Sequence, residues 1–361
     1  MKRKKILIFL PSITYGGAEL FVLDLINNLS KKYEVVFVVS KGVENKSLIP
    51  ENIDKFYTIS SSSTLFSFLK LRKIILKESP SVCFSTIWNA NIALILSCIG
   101  LSIPVVIREA GQEYRLSGYS DGNKYIVNYL IAFLFYRFAN KIICVSNSMQ
   151  SNLIRNLRIS ADKTIVVKNN FYTEKFKKDI SCEPNHKWIK NQNLNVISCV
   201  SRLDKVRELD LLIKAFSEFV KNEEIKKNFR LVIFGDGNWR KYLEELVVNL
   251  DIKEVVDLPG FFDPVINEVH HSDLYIHPSR SEGYSNALGQ SLLTGVKTIA
   301  SDIPQNQELG KEFKNCFFYE QGNTYDLLKK IYEVRDFSKI AIKHFSYDET
   351  YENYEKIINE L

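Results

Sequence analysis

The hydrophobic positions of this chain alternate between short continuous runs and runs with helical spacing. Five apolar residues at 6–10 are typical of a strand that is buried on both faces. The apolar positions between Ala18 and Leu29 recur every three or four residues, which predicts an amphipathic helix. Further strands are predicted at residues 35–39, 82–85, 104–107, 141–145 and 164–167. This alternation predicts a doubly wound parallel sheet with helices on both faces.

A polar segment at 169–193, rich in Lys, Asn and Glu, separates this series from a second one. Strands of the second series are predicted at residues 196–200, 230–234, 255–258, 274–276 and 298–300. We therefore predict an α/β protein with two Rossmann-like domains, 1–170 and 171–361, and a linker at 171–193. The last helix can pack back on the first domain. Ligands of such sheets bind beyond the carboxyl ends of the strands.

The composition is that of a globular protein, with 45% hydrophobic and 25% charged residues in a chain of 361. The six cysteines are scattered, without a Cys-x-x-Cys pair or a Cys/His cluster, which indicates a reducing compartment and no zinc site. The first apolar run is too short for a signal peptide, and the run at 92–107 is broken by Gly100 and Pro104. We therefore predict a cytoplasmic protein without a membrane span.

Charge is distributed unevenly between the two halves of the chain. Residues 1–170 contain 22 Lys and Arg against 11 Asp and Glu, whereas residues 171–361 contain 26 against 31. A basic first half indicates an anionic partner: a membrane surface, a lipid phosphate or a nucleic acid. The alternative is compositional drift in a chain rich in Lys and Asn.

Two turns carry candidate anion-binding groups. Gly16 and Gly17 follow the first strand, where paired glycines let backbone N–H groups approach an anion closely. Arg202, Lys205 and Arg207 follow the strand at 196–200, and guanidinium groups there can hold a diphosphate and neutralise its charge as it departs. The alternatives are a tight turn without a ligand and a solvated basic loop.

A third candidate segment spans residues 278–295. We predict that Glu282 closes a strand, that residues 283–286 form a polar turn and that residues 287–294 form a helix ended by Gly295. A turn that opens a helix at the ligand edge of a sheet is suited to bind an anion.

Together, these segments resemble glycosyltransferase family 4, the group 1 glycosyltransferases, which are retaining enzymes of the GT-B fold. That family has Gly-Gly-x-Glu after the first strand, Gly-Arg-Leu-x-x-x-Lys-Gly at the head of the second domain and Glu-x7-Glu near its end. Matches follow the family's order from about residue 5 to residue 310. The resemblance implies two Rossmann-like domains facing each other across a cleft.

The resemblance also implies roles for single residues. Arg202 matches the family's arginine on the diphosphate, Arg207 stands where the family has lysine, and Glu282 matches the glutamate that holds the donor sugar. The resemblance places Gly260 and Phe261 at the nucleobase. The implied donor-binding set is Gly16, Gly17, Arg202, Lys205, Arg207, Gly260, Phe261, Glu282, Gly283, Tyr284, Ser285, Asn286 and Gln290.

Gln290 is the main departure, because the family has a second glutamate there that takes both ribose hydroxyls. A neutral amide in its place predicts weaker nucleotide binding, by about 1–2 kcal/mol. No Asp-x-Asp pair occurs in the chain, so we expect neither a metal nor a cofactor.

Arg108 and Glu109 follow the predicted strand at 104–107. A charged pair in a loop at a strand end would form part of the acceptor-binding or catalytic wall. The alternative is a salt bridge on a surface loop. The basic and apolar face at 65–77 could lie on a membrane, or it could be a solvated helix face.

The sequence therefore predicts a retaining glycosyltransferase with Glu282, Arg202, Arg207 and Glu109 as its catalytic set. Its predicted partners are a nucleotide sugar, most simply a UDP-sugar, and a saccharide or lipid-diphosphate-linked acceptor at the inner membrane face, but no nucleic acid. Its predicted place is surface polysaccharide assembly, as a hexosyl- or N-acetylhexosaminyltransferase. The alternatives are a degenerate GT-B subunit that stabilises an active partner, as Gln290 suggests, and a GT-B epimerase or phosphorylase.

Overall fold

The computed structural model describes residues 3–13, 17–43, 48–111, 122–334, 339 and 349–361, and only the backbone of residues 122–125. The chain forms two compact units. The first comprises Met1–Asn169 and Asp348–Leu361, and the second comprises Asn170–Tyr347. Among the described residues, no helix has the length and apolar character that a bilayer crossing requires.

The first unit contains a seven-stranded parallel sheet in the order β3-β2-β1-β4-β5-β6-β7. Its strands are β1 Lys5–Leu10, β2 Glu34–Val39, β3 Lys55–Thr58, β4 Val82–Thr86, β5 Val105–Glu109, β6 Lys141–Cys144 and β7 Thr164–Val166. The strands β1, β2, β4 and β5 are buried over nearly their whole length, which explains their continuous apolar runs. Strand β3 was not predicted, because this edge strand is only half-buried and lacks such a run.

In the described part of this unit, five helices connect the strands, and a sixth lies at the carboxyl end of the chain. They are α1 Gly17–Leu29, α2 Phe68–Glu78, α3 Trp88–Cys98, α4 Gly122–Phe135, α5 Asn147–Asn156 and the carboxy-terminal helix. Short 3-10 turns at Leu65–Ser67 and Tyr136–Phe138 adjoin α2 and α4.

The carboxy-terminal helix, Glu349–Glu360, belongs to the first unit although it lies at the end of the chain. Its Tyr354 is buried against the rings of Phe21 and Phe84, with ring centroids 5.7 and 5.9 Å apart. Ile357 and Ile358 join the same apolar core as α1 and the first two strands. Apolar burial therefore fastens this helix to the first sheet.

The second unit contains a six-stranded parallel sheet in the order β10-β9-β8-β11-β12-β13. Its strands are β8 Asn195–Val200, β9 Phe229–Phe234, β10 Val256–Gly260, β11 Leu274–His277, β12 Lys297–Ser301 and β13 Cys316–Tyr319. Its helices, continuing the numbering of the first unit's connecting helices, are α6 Glu174–Ile180, α7 Leu209–Phe219, α8 Glu223–Asn228, α9 Arg240–Asn249, α10 Ile266–His270, α11 Asn286–Leu293, α12 Pro304–Gly310 and α13 Thr324–Val334.

Residues 171–193, which the polar composition predicts to be a linker, are instead packed into the second unit. Phe171 and Phe176 are buried, and Ile189 packs with β8 and β9 residues. His186 is buried with its ring nitrogen 3.1 Å from Asp257. A few apolar anchors among many Lys and Asn residues hold this segment in place, and composition averaged over the segment conceals them.

Candidate functional site

The loops that follow four parallel strands of the second unit meet at the carboxyl edge of its sheet. The loop after β8 carries Arg202 and Arg207, that after β10 carries Phe261, and that after β11 carries Glu282. Since carboxyl ends of neighbouring parallel strands share one edge, residues far apart in sequence are brought together here.

Two glycines after β9 let these loops pack backbone against backbone. Gly235 has a φ of +127°, and a Cβ there would lie 2.0 Å from the Ser201 carbonyl oxygen. A Cβ on Gly237 would lie 2.3 Å from the Leu203 carbonyl oxygen. Only glycine fits at both positions, so the loop after β8 is held tightly against the loop after β9.

Arg207 and Glu282 form a largely buried ion pair at this edge. The same guanidinium nitrogen also donates to the Ser279 hydroxyl at 3.3 Å. Burial disfavours both charges, but mutual attraction outweighs it and raises the pKa of Arg207 from its usual value. For Glu282, the attraction of Arg207 and a hydrogen bond from His277 likewise overcome burial and lower the pKa well below its usual range.

His277, the last residue of β11, supports Glu282 from the other side. Its Nε2 lies 3.1 Å from a Glu282 carboxylate oxygen and 3.1 Å from the Ser285 hydroxyl. The prediction that Glu282 closes a strand is wrong, because β11 ends at His277 and Glu282 lies in the following loop. The sequence did not predict a role for His277, although its place at a strand end was a usable signal.

A second, partly buried ion pair connects the same two loops. Glu208 has a left-handed φ of +48° and directly follows Arg207. Its carboxylate lies 2.7 Å from the Arg280 guanidinium and accepts two hydrogen bonds from the Gln321 amide. The Arg280 backbone N–H also donates to the Val206 carbonyl at 3.0 Å. These contacts, which the sequence did not predict, fix the backbone on which Arg207 stands.

The other cations of the loop are exposed. Arg202 has a side chain 69% exposed and pairs with Asp204 at 2.6 Å. Lys205 is exposed and opens the 3-10 turn Lys205–Arg207. Both are therefore accessible from solvent, whereas Arg207 is held against Glu282.

Gly260 and Phe261 lie at the same edge, at the end of β10. Gly260 has a φ of +94°, and its carbonyl accepts the Gly235 N–H at 2.8 Å. Phe261 is 58% exposed, which is unusual for so large an apolar side chain. An exposed ring at a ligand edge is suited to stack on a planar base.

Residues 283–285 form the predicted turn, and α11, Asn286–Leu293, begins and ends one residue earlier than predicted, shortly before Gly295 with a φ of +81°. The Tyr284 ring is buried and stacked on Phe171 at 5.2 Å. The Ser285 hydroxyl caps α11 by accepting the Leu288 N–H. These two side chains are thus committed to packing and capping, and this turn can offer a ligand chiefly its backbone. Gly283 is buried, and Gln290 is half-buried in the second turn of α11.

In the first unit, Gly16 lies outside the described residues, and Gly17 begins α1. Arg108 and Glu109 are not in a loop, as predicted, but are the last two residues of β5, and both are buried. Arg108 donates to Asn169 at 2.6 Å and to the Thr86 hydroxyl at 3.2 Å. Glu109 accepts a hydrogen bond from the Tyr136 hydroxyl. Neither the surface salt bridge nor an exposed acceptor-binding wall fits this burial.

Two sequence profiles match this chain. The profile described as glycosyltransferase family 4 matches residues 15–175, and the profile described as glycosyl transferases group 1 matches residues 183–339. The two ranges correspond to the two units and together span most of the chain. This protein belongs to the group 1 glycosyltransferases.

Several curated relatives are similar to this glycosyltransferase over about four fifths of both chains. It is 28% identical over 314 residues to the N-acetylgalactosamine-N,N'-diacetylbacillosaminyl-diphospho-undecaprenol 4-alpha-N-acetylgalactosaminyltransferase of Campylobacter jejuni, covering 83% of this chain and 81% of that protein. A second transferase of the same organism, named for transfer of N-acetyl-D-galactosamine to a diNAcBac-PP-undecaprenol-linked glycan, is 25% identical over 82% of this chain and 79% of its own length.

Solved structures establish the GT-B fold of this glycosyltransferase. Anabaena HepE in complex with UDP-glucose superposes with a TM-score of 0.78 at 18% identity, over 99% of this chain and all of that one. Sucrose-phosphate synthase of Thermosynechococcus elongatus superposes with a TM-score of 0.76 at 11% identity, over 99% of each chain.

The residues of this glycosyltransferase gathered at the edge are suited to bind a phosphate-bearing ligand directly. Arginine forks match phosphate oxygens, and a carboxylate such as Glu282 accepts hydrogen bonds from sugar hydroxyls. Within the described part of the chain, no group of three or more His, Cys, Asp and Glu side chains could hold a metal ion.

Proposed function

We propose that this glycosyltransferase moves a sugar from a nucleoside-diphosphate sugar to a hydroxyl with retention at the anomeric carbon. The donor is a UDP-sugar, the group transferred is a hexose or N-acetylhexosamine, and the acceptor is a saccharide, most simply a lipid-diphosphate-linked one at the inner membrane face. The reaction would serve surface polysaccharide assembly.

The single observation that carries this proposal is the Arg207–Glu282 pair at the carboxyl edge of the second sheet. A nucleoside diphosphate leaving group gains negative charge as the glycosidic bond breaks, and a preorganised guanidinium stabilises that charge. Glu282, held ionised by Arg207 and His277, is suited to orient the hydroxyls of the donor sugar. A phosphate of the ligand and the Glu282 carboxylate would then both accept hydrogen bonds from the Arg207 guanidinium.

The exposed cations Arg202 and Lys205 supplement this pair. Their place in the same loop supports a role in attracting the diphosphate, and Phe261 beyond β10 supports a role in stacking on the base. In other transferases a divalent metal stabilises the negative charge of the departing diphosphate. In this protein arginine would have that role.

The acceptor proposal has separate support. The first half of the chain carries 22 basic against 11 acidic residues, which favours an anionic acceptor. The Campylobacter relatives are named as transferases that act on diphospho-undecaprenol-linked sugars. A lipid diphosphate is negatively charged and lies at a membrane. Both properties fit the excess of basic residues in the first half of the chain.

The test is release of nucleoside diphosphate by purified protein, with a panel of donors and a polyprenyl-diphosphate-linked saccharide as acceptor. We expect release with one donor class, a strong loss in Arg202→Ala and an α-linked product from an α-linked donor, as read by proton NMR. Absence of release with every donor, undiminished release by Arg202→Ala or an inverted product would contradict the proposal.

Gln290 favours a second candidate, a GT-B subunit that binds no donor and stabilises an active partner. The half-buried amide stands where the family has a carboxylate. Binding of each nucleoside diphosphate to the native protein and to Gln290→Glu separates the two. If only Gln290→Glu binds, the degenerate subunit is the better account; if the native protein binds, the enzyme is.

A further inference from the structure

Three helices of the first unit lie side by side on one face of its sheet. Helices α2, α3 and α4 precede β4, β5 and β6, which follow one another in the sheet, so right-handed crossovers place all three helices on the same face. Helix α3 contacts α2 on one side and α4 on the other. We call these three helices and their adjoining 3-10 turns the α2–α4 layer.

The α2–α4 layer exposes an unusual share of large apolar side chains. Fifteen large hydrophobic residues are exposed among the described residues; eight of them belong to this layer, and a ninth, Ile99, directly follows α3. They are Phe66, Leu69, Leu76, Ile99, Ile126, Val127, Leu130, Leu134 and Phe138. Single exposed apolar residues are ordinary, but a concentration on one layer indicates an interaction surface.

The exposed side chains follow helical spacing. On α4 and its 3-10 turn, Ile126, Leu130, Leu134 and Phe138 recur every four residues and form one stripe, each about half exposed. On α2, the exposed Leu69 and Leu76 lie seven residues apart, two helical turns along one face. Both helices thus present an apolar ridge to the solvent.

The charge of this layer has a single sign. Lys70, Lys73 and Lys77 are exposed beside the apolar positions of α2. Residues 55–108 contain one acidic residue, Glu78, and residues 122–161 contain none. Glu78 is buried and bonded to Lys55 and Tyr57, so it offers no negative charge to a partner.

We propose that the α2–α4 layer docks on an anionic phospholipid surface, with its apolar ridges at the acyl boundary and its lysines at the head groups. Exposed leucine, isoleucine and phenylalanine side chains beside lysines are the composition of an interfacial helix. This proposal extends the proposed function, because it gives the surface by which the enzyme would reach a lipid-linked acceptor. Lipid binding needs neither donor nor acceptor, so it is tested separately.

The charge pattern favours lipid over a second copy of this chain. Two copies joined through this layer would bring their lysines together without acidic partners, because the described residues of the layer present no exposed carboxylate. An anionic bilayer instead supplies the opposite charge along the whole layer.

The experiment is flotation of the full chain with vesicles of phosphatidylcholine alone or mixed with phosphatidylglycerol. The charge variant is Lys70→Gln/Lys73→Gln/Lys77→Gln, and the apolar variant is Leu130→Ser/Leu134→Ser. The controls in the second unit are Lys221→Gln/Lys227→Gln/Lys241→Gln and Val248→Ser/Tyr325→Ser, all at exposed positions. Melting temperatures confirm that each variant is folded.

We expect binding only to vesicles with phosphatidylglycerol and weaker binding in high salt. The charge variant should lose affinity on the order of 100-fold, since each lysine near an anionic surface contributes about tenfold or less. The apolar variant should lose roughly tenfold. Both control variants should bind as the native protein does.

Three results would overturn the proposal. The first is no binding to either kind of vesicle, and the second is an equal loss in the control variants. The third is a dimer, seen by analytical ultracentrifugation, that Leu130→Ser/Leu134→Ser dissociates, which would make the layer a subunit interface. Since nucleoside diphosphate release is measured without vesicles, a failed donor assay would leave the lipid result standing, and the reverse also holds.

Discussion

Each unit of this glycosyltransferase holds an arginine close to the carboxyl edge of its sheet; Arg108 is buried, Arg207 is partly exposed, and the two differ in their partners. The contacts of the Arg108 guanidinium are with neutral groups: Asn169, the Thr86 hydroxyl and the ring of Phe21, whose centroid lies 4.2 Å from the guanidinium carbon. The attraction of the adjacent Glu109 carboxylate does not offset the burial of the arginine's charge. Arg207 is paired with the carboxylate of Glu282. Burial lowers the pKa of Arg108, whereas Glu282 raises that of Arg207 against the effect of burial.

The comparison separates an arginine that holds a fold together from one that is suited to a ligand. Arg108 also interacts with Tyr354 of the carboxy-terminal helix, so it helps to fasten that helix to the first sheet. Arg207 lies between two loops, partly open to solvent, where a phosphate could compete with Glu282 for its donors. Charge alone does not distinguish the two arginines, but their exposure and their partners do.

The largest expected effect is on turnover in Arg207→Met. Removing the guanidinium removes the stabilisation of the departing diphosphate, and we expect turnover to fall by about 10²–10³-fold. The measurement is nucleoside diphosphate release under saturating donor. The matched control is Arg230→Met, at the amino end of β9, where the guanidinium stacks over Trp188 and bonds to backbone carbonyls. If the turnover of Arg207→Met stays within a few-fold of the native value, Arg207 does not stabilise the leaving group and its contrast with Arg108 is wrong.

Next in size is the loss of stability in Arg108→Met. Asn169 and Thr86 lose their buried donor, so we expect the free energy of unfolding of the first unit to fall by about 3 kcal/mol. Hydrogen exchange, read separately for the two units across a urea series, measures this loss. Turnover per folded molecule should stay unchanged. If turnover falls while stability does not, Arg108 acts on a substrate and the structural account is wrong.

Acid should destabilise each unit through a different carboxylate. The folded-state pKa of Glu282 is depressed, so its contribution is present above its ordinary pKa of about 4.3 and is lost as pH falls below it. In the first unit, hydrogen bonds from Lys55, Tyr57 and Lys5 outweigh burial and lower the pKa of Glu78 to about 2. Hydrogen exchange between about pH 5 and pH 2 should show protection lost in both units.

The pH experiment has a matched pair of variants. Glu282→Gln should flatten the acid dependence of the second unit alone, and Glu78→Gln that of the first unit alone. A change of acid dependence in the unmutated unit would contradict the assignment.

The smallest effect is expected from Glu208→Gln. The amide keeps a hydrogen bond but loses the ionic part of the contact with Arg280. Burial raises the pKa of Glu208, so the pair does not offset the cost of burying its charge, and stability should change by less than about 1 kcal/mol. Because Glu208 positions the backbone next to Arg207, we expect the donor KM to rise several-fold with kcat nearly unchanged. The control is Glu218→Gln, whose carboxylate pairs with Lys221 at the surface. Equal effects in both variants would mean that the Glu208–Arg280 pair contributes no more than an ion pair at the surface.

The central strands could be predicted from the sequence because both their faces are buried. The eleven strands that the apolar runs predicted in the two units were found within about two residues at each end, from Lys5–Leu10 to Lys297–Ser301. The edge strands Lys55–Thr58 and Cys316–Tyr319 were missed; each has only four residues and is partly exposed. The other two edge strands, Thr164–Val166 and Val256–Gly260, were predicted.

The site could be predicted only as far as motifs place residues at one sheet edge. Arg207 and Glu282 are brought together across 75 positions of sequence, and no spacing rule gives their ion pair. His277, Arg280 and Gln321 were missed for the same reason. Arg108 was misplaced because β5 continues to Glu109, two residues beyond the apolar run that predicted the strand.

The most direct test of the central claim is isothermal titration calorimetry of the four common nucleoside diphosphates with native protein, Arg207→Met and Arg230→Met. We predict one site per chain for at least one nucleoside diphosphate, an affinity reduced at least about tenfold in Arg207→Met, and native affinity in Arg230→Met. If Arg207→Met binds as tightly as the native protein, the edge of the second sheet that carries Arg207 and Glu282 is not the diphosphate site.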